Sequence, residues 1–255
     1  MIRAPLFRLV PRPFARCASV ATGHCDGDDE FAHLTPLRAR LNHGSFGAAP
    51  RSVLRAQTAL RDEWLAHPDH FYFSGRLGHE LENATAAAAR AAGAAADRTV
   101  LVENASVAAA IVFNRWAWLL QQGRHAKPGD AVAMLEWRYG ACENILRATV
   151  GRAGARLVPV PMPFPLEREY DVLRSLDAVL TRERPKFVLL DHVTSQPAAR
   201  LPVKAMVELC RRHGVLEVAV DGAHGVGCLD LTSAASVDGP TCVGADWWFS
   251  NLHKW

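Results

Sequence analysis

The chain has 255 residues, 49% hydrophobic and 22% charged, and its 29 Lys and Arg against 26 Asp and Glu leave a net charge of +3. That length buries a full core, and the composition is that of a soluble globular protein rather than a disordered or fibrous one. Past the first 25 residues the basic charge is dispersed, which argues against a nucleic-acid partner, and no apolar run is long enough to span a bilayer.

The first segment stands apart. Arg3, Arg8, Arg12 and Arg16 all precede the first acidic residue, Asp26, so residues 1–30 read as an organelle transit peptide. The arginines and Phe14-Ala15-Arg16-Cys17-Ala18-Ser19 point to mitochondria first and plastids second. A cytoplasmic protein is expected if the leader is not a targeting signal. Residues 31–75 are expected to form an N-terminal segment and residues 76–255 one large domain.

In chain order the pattern predicts a helix over 77–95, a strand over 99–102, a helix over 107–122 and a strand over 131–135. A helix over 140–151, a strand over 156–160, a helix over 170–182 and a strand over 187–190 follow. The series closes with a helix over 203–213, set between Pro202 and Gly214, and strands over 216–220 and 247–249. Short apolar strands separated by helices imply an α/β fold, a mainly parallel sheet flanked by helices on both faces. Such sheets bind ligands at the carboxyl ends of their strands. Asn104, Tyr139, Thr194, Ser195, Asp221, His224 and Lys254 all fall there. The six cysteines (17, 25, 142, 210, 228 and 242) show neither a CxxC pair nor metal-ligand spacing, so reduced thiols and no metal site are expected.

Asp221 ends the run Val218-Ala219-Val220, where a carboxylate either points into the ligand crevice or caps the next turn. His224 follows three residues on. Lys254 is one of four lysines, with Lys127, Lys186 and Lys204, against 25 arginines (29 minus 4). Where arginine is so favoured, a retained lysine suggests chemistry, because an amine can shed its proton and act as a nucleophile while a guanidinium practically cannot. An aspartate at one strand end and a lysine after the next apolar run suit pyridoxal 5'-phosphate (PLP). The lysine forms a Schiff base with the cofactor's aldehyde, and the aspartate keeps the ring nitrogen protonated. Asn251 and His253 are placed to contact phosphate or orient the amine. Glu103-Asn104-Ala105-Ser106 opens a long apolar helix, where Asn104 or Ser106 is an N-cap, a phosphate ligand, or both. Gly222-Ala-His-Gly225-Val-Gly227 looks superficially like a dinucleotide loop, but its glycines run GxxGxG and no helix follows, so that reading is set aside.

With these pieces in place the chain resembles the class V aminotransferase-like group of fold-type I PLP enzymes, from about Leu41 to its end. The resemblance rests on Leu41-Asn42-His43-Gly44-Ser45-Phe46-Gly47, Glu103 to Ser106, Tyr139-Gly140-Ala141, Asp191-His192-Val193-Thr194-Ser195, Asp221 to His224, and Ser250 to Trp255. Asp69-His70-Phe71-Tyr72-Phe73 and the closing string look most like the isopenicillin N epimerase-like branch, and especially the plant-type L-cysteine desulfhydrases.

The resemblance implies a Schiff base on Lys254, a pyridinium contact from Asp221, and His224 and Ser195 near the phenolic oxygen. It implies phosphate held by Asn104, Ala105 and Ser106 with Asn251 and His253, and Tyr139 stacked on the ring, with Trp137 as the alternative. The implied reaction is β-elimination of L-cysteine to sulfide, pyruvate and ammonia. A cysteine desulfurase, an epimerase, or an inactive PLP-binding or interaction protein are the alternatives. A homodimer is implied for the full-length protein. The chain stops at Trp255, one residue past the lysine. The small domain that usually follows, with its substrate-binding arginine, is therefore expected to be missing from this sequence.

Overall fold

The central strands carry continuous apolar runs of three to five residues, too short for helices and without polar alternation, so they have to be covered on both faces. The computed structural model of the protein describes residues 30–34, 42–233 and 235–254. It contains five strands: β1 (Ala131–Leu135), β2 (Arg156–Val160), β3 (Phe187–Asp191), β4 (Glu217–Asp221) and β5 (Trp247–Phe249). They lie in the order β2-β1-β3-β4-β5 and every pairing is parallel. Apart from Glu30, the expected leader lies outside the described residues, as do Cys17, Cys25 and Leu41.

Alternation along the strands sorts the core into two faces. Ala133, Leu135, Val188, Leu190, Val218 and Val220 face α6 (Glu169–Glu183) and α7 (Val203–Arg212). Val132, Met134, Phe187, Leu189, Ala219 and Phe249 face α4 (Ala105–Gln122) and α5 (Gly140–Leu146). By the same parity Asp191, Asp221 and Asn251 belong to the second face, at its carboxyl end. The first strand runs outward from β1 to β2 and the chain then returns to the other side of β1, so the topological switch point lies between β1 and β3.

The predicted elements sit where expected with three exceptions. Residues 99–102 form no strand: the segment is extended but pairs with nothing among the described residues, and Val100 is 81% exposed. Its apolar side chains read as a buried strand, yet no sheet edge reaches it. The helix predicted over 77–95 is α3, Arg76–Ala92, and it stops at Gly93. There φ is +65° and a Cβ would fall 1.8 Å from Leu231 O, so only glycine fits the exit. The helix over 140–151 is α5 continued by a π-helical turn at Arg147–Gly151. Three α-helices were not foreseen, α1 (Arg51–Ala66), α2 (Pro68–Phe73) and the four-residue α8 (Pro240–Val243); α1 buries none of its residues. Among the described residues no helix is long and apolar enough to cross a membrane.

Candidate functional site

Asp221 is the last residue of β4, and both its oxygens are held. Oδ1 accepts from the backbone N–H of Ala223 at 2.9 Å, and Oδ2 accepts from the Cys142 thiol on α5 at 3.3 Å. Burial raises the Asp221 carboxyl above its ordinary range, while these two donors and the positive charge of Lys254 act against that rise. Burial pushes the Cys142 thiol well up, with the Asp221 charge second, so it stays protonated and serves as a donor. Next to Asp221 in register on β3 stands Asp191, almost fully buried.

The loop after β4 turns tightly over the indole of Trp248. A Cβ at Gly222 would lie 2.3 Å from that ring, and one at Gly225 3.0 Å from it. The glycines are thus there for the indole to approach, which gives a physical reason for a GxxG spacing without a dinucleotide. The turn delivers His224, whose Nε2 accepts from Lys254 Nζ at 3.4 Å. Burial lowers the His224 pKa and the nearby Lys254 charge lowers it further, so its imidazole is neutral and able to accept. Lys254 Nζ also lies over the ring of Tyr139, 5.7 Å from its centroid. Trp137 packs edge-on against Phe164 instead, at 6.1 Å, among residues of the α6–α7 face.

The helix end is closed more tightly than the sequence suggested. Asn104 caps α4, its Oδ1 accepting from Val107 N–H at 3.0 Å. Ala105 N–H is given to Oδ1 of the buried Asn251 at 2.9 Å. Of the first three N–H groups of α4, Ser106 alone keeps its own uncommitted among the described residues, together with its hydroxyl. Ser195 is half-buried on the loop after β3. His253 is exposed, and its carbonyl packs on Gly47, where a Cβ would come within 1.7 Å. That contact lays the 42–47 turn over the lysine segment, and a Cβ on Gly44 would meet His224 Nδ1 at 3.9 Å.

The structure therefore gathers Asp221, His224, Lys254, Tyr139 and Asn251 with the N-terminus of α4, leaves His253 exposed, and commits the Asn104 side chain to the helix cap. Sequence reasoning passed over Asp191 and His192 as ligands of the site's own framework. His192 is wholly buried, accepting from Trp248 Nε1 at 3.2 Å on Nδ1 and facing Asp238 Oδ1 at 3.5 Å with Nε2. Their signal was a titratable pair at the end of an apolar strand.

A profile of the aminotransferase class-V family matches residues 47–235. A probable chloroplastic L-cysteine desulfhydrase of Arabidopsis thaliana is 38% identical over 234 residues, 89% of this chain and 47% of its own length. Isopenicillin N epimerase of Streptomyces clavuligerus is 27% identical over 222 residues, 87% of this chain and 51% of its own length. The chain thus spans about half the length of the curated relatives it matches. Among solved structures, the cystine C–S lyase C-DES in complex with its reaction product cysteine persulfide superposes with a TM-score of 0.69 at 21% identity. That match covers 84% of this chain and 53% of the lyase, and it shows a shared fold.

Proposed function

Because the chain belongs to the aminotransferase class-V family, we propose that it binds PLP through Lys254 and Asp221 and serves a carbon–sulfur lyase that splits L-cysteine into sulfide, pyruvate and ammonia. The observation that carries this reading is the convergence of Lys254 Nζ, the neutral His224 imidazole 3.4 Å away and the buried Asp221 carboxylate at the carboxyl ends of β4 and β5. The plant relatives named for cysteine desulfhydrase activity supply the reaction.

The residues present fit the cofactor. Asp221 offers a buried, oriented carboxylate to a ring nitrogen, Tyr139 an aromatic face, and Ser106 an uncommitted N–H and hydroxyl at the positive end of α4 for phosphate. When bound, PLP supplies an aldehyde for amines and an electron-withdrawing protonated ring. His224 Nε2 is the nearest base for the proton that Lys254 Nζ must shed before it can act as a nucleophile or base. Asn251 ties the end of β5 to the first turn of α4, which fixes the span between the lysine and the phosphate position. Cys142 is buried and donates its thiol hydrogen to Asp221, supporting that carboxylate.

A homodimer belongs to the same proposal for the full-length protein. The test is product analysis after incubation with PLP and L-cysteine. Sulfide and pyruvate in equal amounts, both abolished in Lys254→Ala, are expected. Alanine in place of pyruvate would move the assignment to a desulfurase, and bound cofactor without turnover would leave a binding protein.

A further inference from the structure

Asp191, the buried neighbour of Asp221, has no part in the site chemistry described so far. The two residues are partners in register on neighbouring parallel strands and share a face of the sheet, which puts their backbones about 4.8 Å apart. Both are almost fully buried. Their surroundings are unequal. Asp221 receives an N–H from Ala223 and an S–H from Cys142, and faces the positive charge of Lys254 and the imidazole of His224. Asp191 Oδ2 is buried without a hydrogen-bond partner among the described residues, where the charged groups that act on it are Asp221 on β4 and Arg138 on the loop before α5. The Cys142 thiol on α5 also faces it and carries no charge. Arg138 gives Nη1 to Glu136 O and Nη2 to the Glu143 carboxylate, while its Nε is buried with no hydrogen-bond partner among the described residues.

Two adjacent buried carboxyls do not both ionise, because like charges in a poorly solvated site repel strongly. The proton goes to the member with fewer donors. We propose that Asp191 carries the one proton of this pair and leaves the single negative charge on Asp221, which makes Asp191 a positioning residue for the cofactor contact proposed there. The pH behaviour of the two groups points the same way: burial and then the Asp221 charge raise Asp191 well above the carboxylate range, with Arg138 alone opposing. Two hydrogen-bond donors and the Lys254 charge oppose the rise at Asp221. A neutral Asp191 keeps the local charge at one unit, matched to one protonated ring nitrogen. The part of this inference that concerns PLP rests on the proposed function, while the part that concerns the proton does not.

Infrared spectroscopy of the cofactor-free 255-residue chain at neutral pH tests the proton directly, through the C=O stretch of protonated carboxyls. One such band per chain is expected in wild type, none in Asp191→Asn, and one still in Asp221→Asn. Absence of the band from wild type overturns the proposal, and so does a band that Asp221→Asn removes while Asp191→Asn keeps it. The wild-type measurement stands even if a variant does not fold.

PLP absorbance titration adds the positioning role. Asp191→Asn, the neutral isostere, is expected to hold Kd within about threefold, whereas Asp221→Asn weakens binding by about tenfold or more through loss of a charge-assisted hydrogen bond. A tenfold loss in a folded Asp191→Asn chain overturns the assignment. A wild-type chain that shows the acid band but binds no PLP would instead count against the cofactor reading alone.

Discussion

Asn251 Oδ1 accepts a 2.9 Å hydrogen bond from the backbone N–H of Ala105, joining the second residue past β5 to the first turn of α4 across 146 positions of sequence. The bond is buried and satisfies one of the donors that every helix start leaves open. It also makes the lysine segment and the helix terminus one mechanical unit. Asn251→Ala is expected to cost roughly 1–3 kcal/mol, the penalty for stranding a buried N–H. Urea unfolding measures it, and PLP affinity should fall with it because the phosphate position loses its tie to Lys254.

Gly222 makes the opposite kind of demand. Its missing side chain lets the Trp248 indole lie directly beneath the turn that carries Asp221 and His224. Gly222→Ala is expected to destabilise by about 1–3 kcal/mol through overpacking. Gly78, inside α3 with nothing within 4 Å of a Cβ, supplies the control. Gly78→Ala should stabilise by roughly 0.5–1 kcal/mol, since glycine is a poor helix residue. Thermal melts of the two variants should move in opposite directions.

At the far end of the sheet Glu217 accepts from Arg115 at 2.6 Å and from the indole N–H groups of Trp116 and Trp247, each at 2.9 Å. Trp116 is fully buried. Glu217→Ala leaves the indole donors unsatisfied, at roughly 1–3 kcal/mol for each that stays dry, while the half-exposed Arg115 adds little. Denaturant midpoints should fall while PLP affinity in the folded chain holds, which separates framework from site.

His192 sets an acid limit. Burial lowers its pKa in the folded chain, with Asp238 acting the other way. A histidine whose folded pKa lies below its unfolded value takes up its proton first when unfolded. Its contribution to stability is therefore complete above about pH 6.5 and is lost as the pH falls below that value. His224 is shifted in the same direction, also chiefly by burial. Unfolding free energies at pH 7.5 and 5.5 should show wild type losing more than His192→Asn, by at most about 1.4 kcal/mol per pH unit.

What the sequence disclosed follows from how local each signal is. The central strands β1, β3 and β4 were legible because each is a short run buried on both faces, while β2 and β5, partly exposed, were legible as short apolar runs. Residues 99–102 have the same composition, and nothing local says whether a sheet edge will reach them. The α1 helix carried a helical spacing in Val53, Leu54, Leu60, Trp64 and Leu65 that went unused, and those side chains are exposed. Asp221, His224 and Lys254 stood out because each sits where a strand ends. The Cys142 contact with Asp221 spans 79 residues, and the Asp191–Asp221 pairing is a matter of strand register. Neither can be read before the sheet is assembled. The commitment of Ala105 N–H to Asn251 belongs with them, since a helix start advertises open donors but not what closes them.

Lys254 is the residue on which the functional account turns, and borohydride reduction of the PLP-incubated chain tests it most directly. With four lysines in the sequence, peptide mass spectrometry assigns the adduct without ambiguity. The account predicts one reduced pyridoxyl group, on Lys254, absent from Lys254→Ala. A folded chain that yields no adduct, or one modified at Lys127, Lys186 or Lys204 instead, would contradict it.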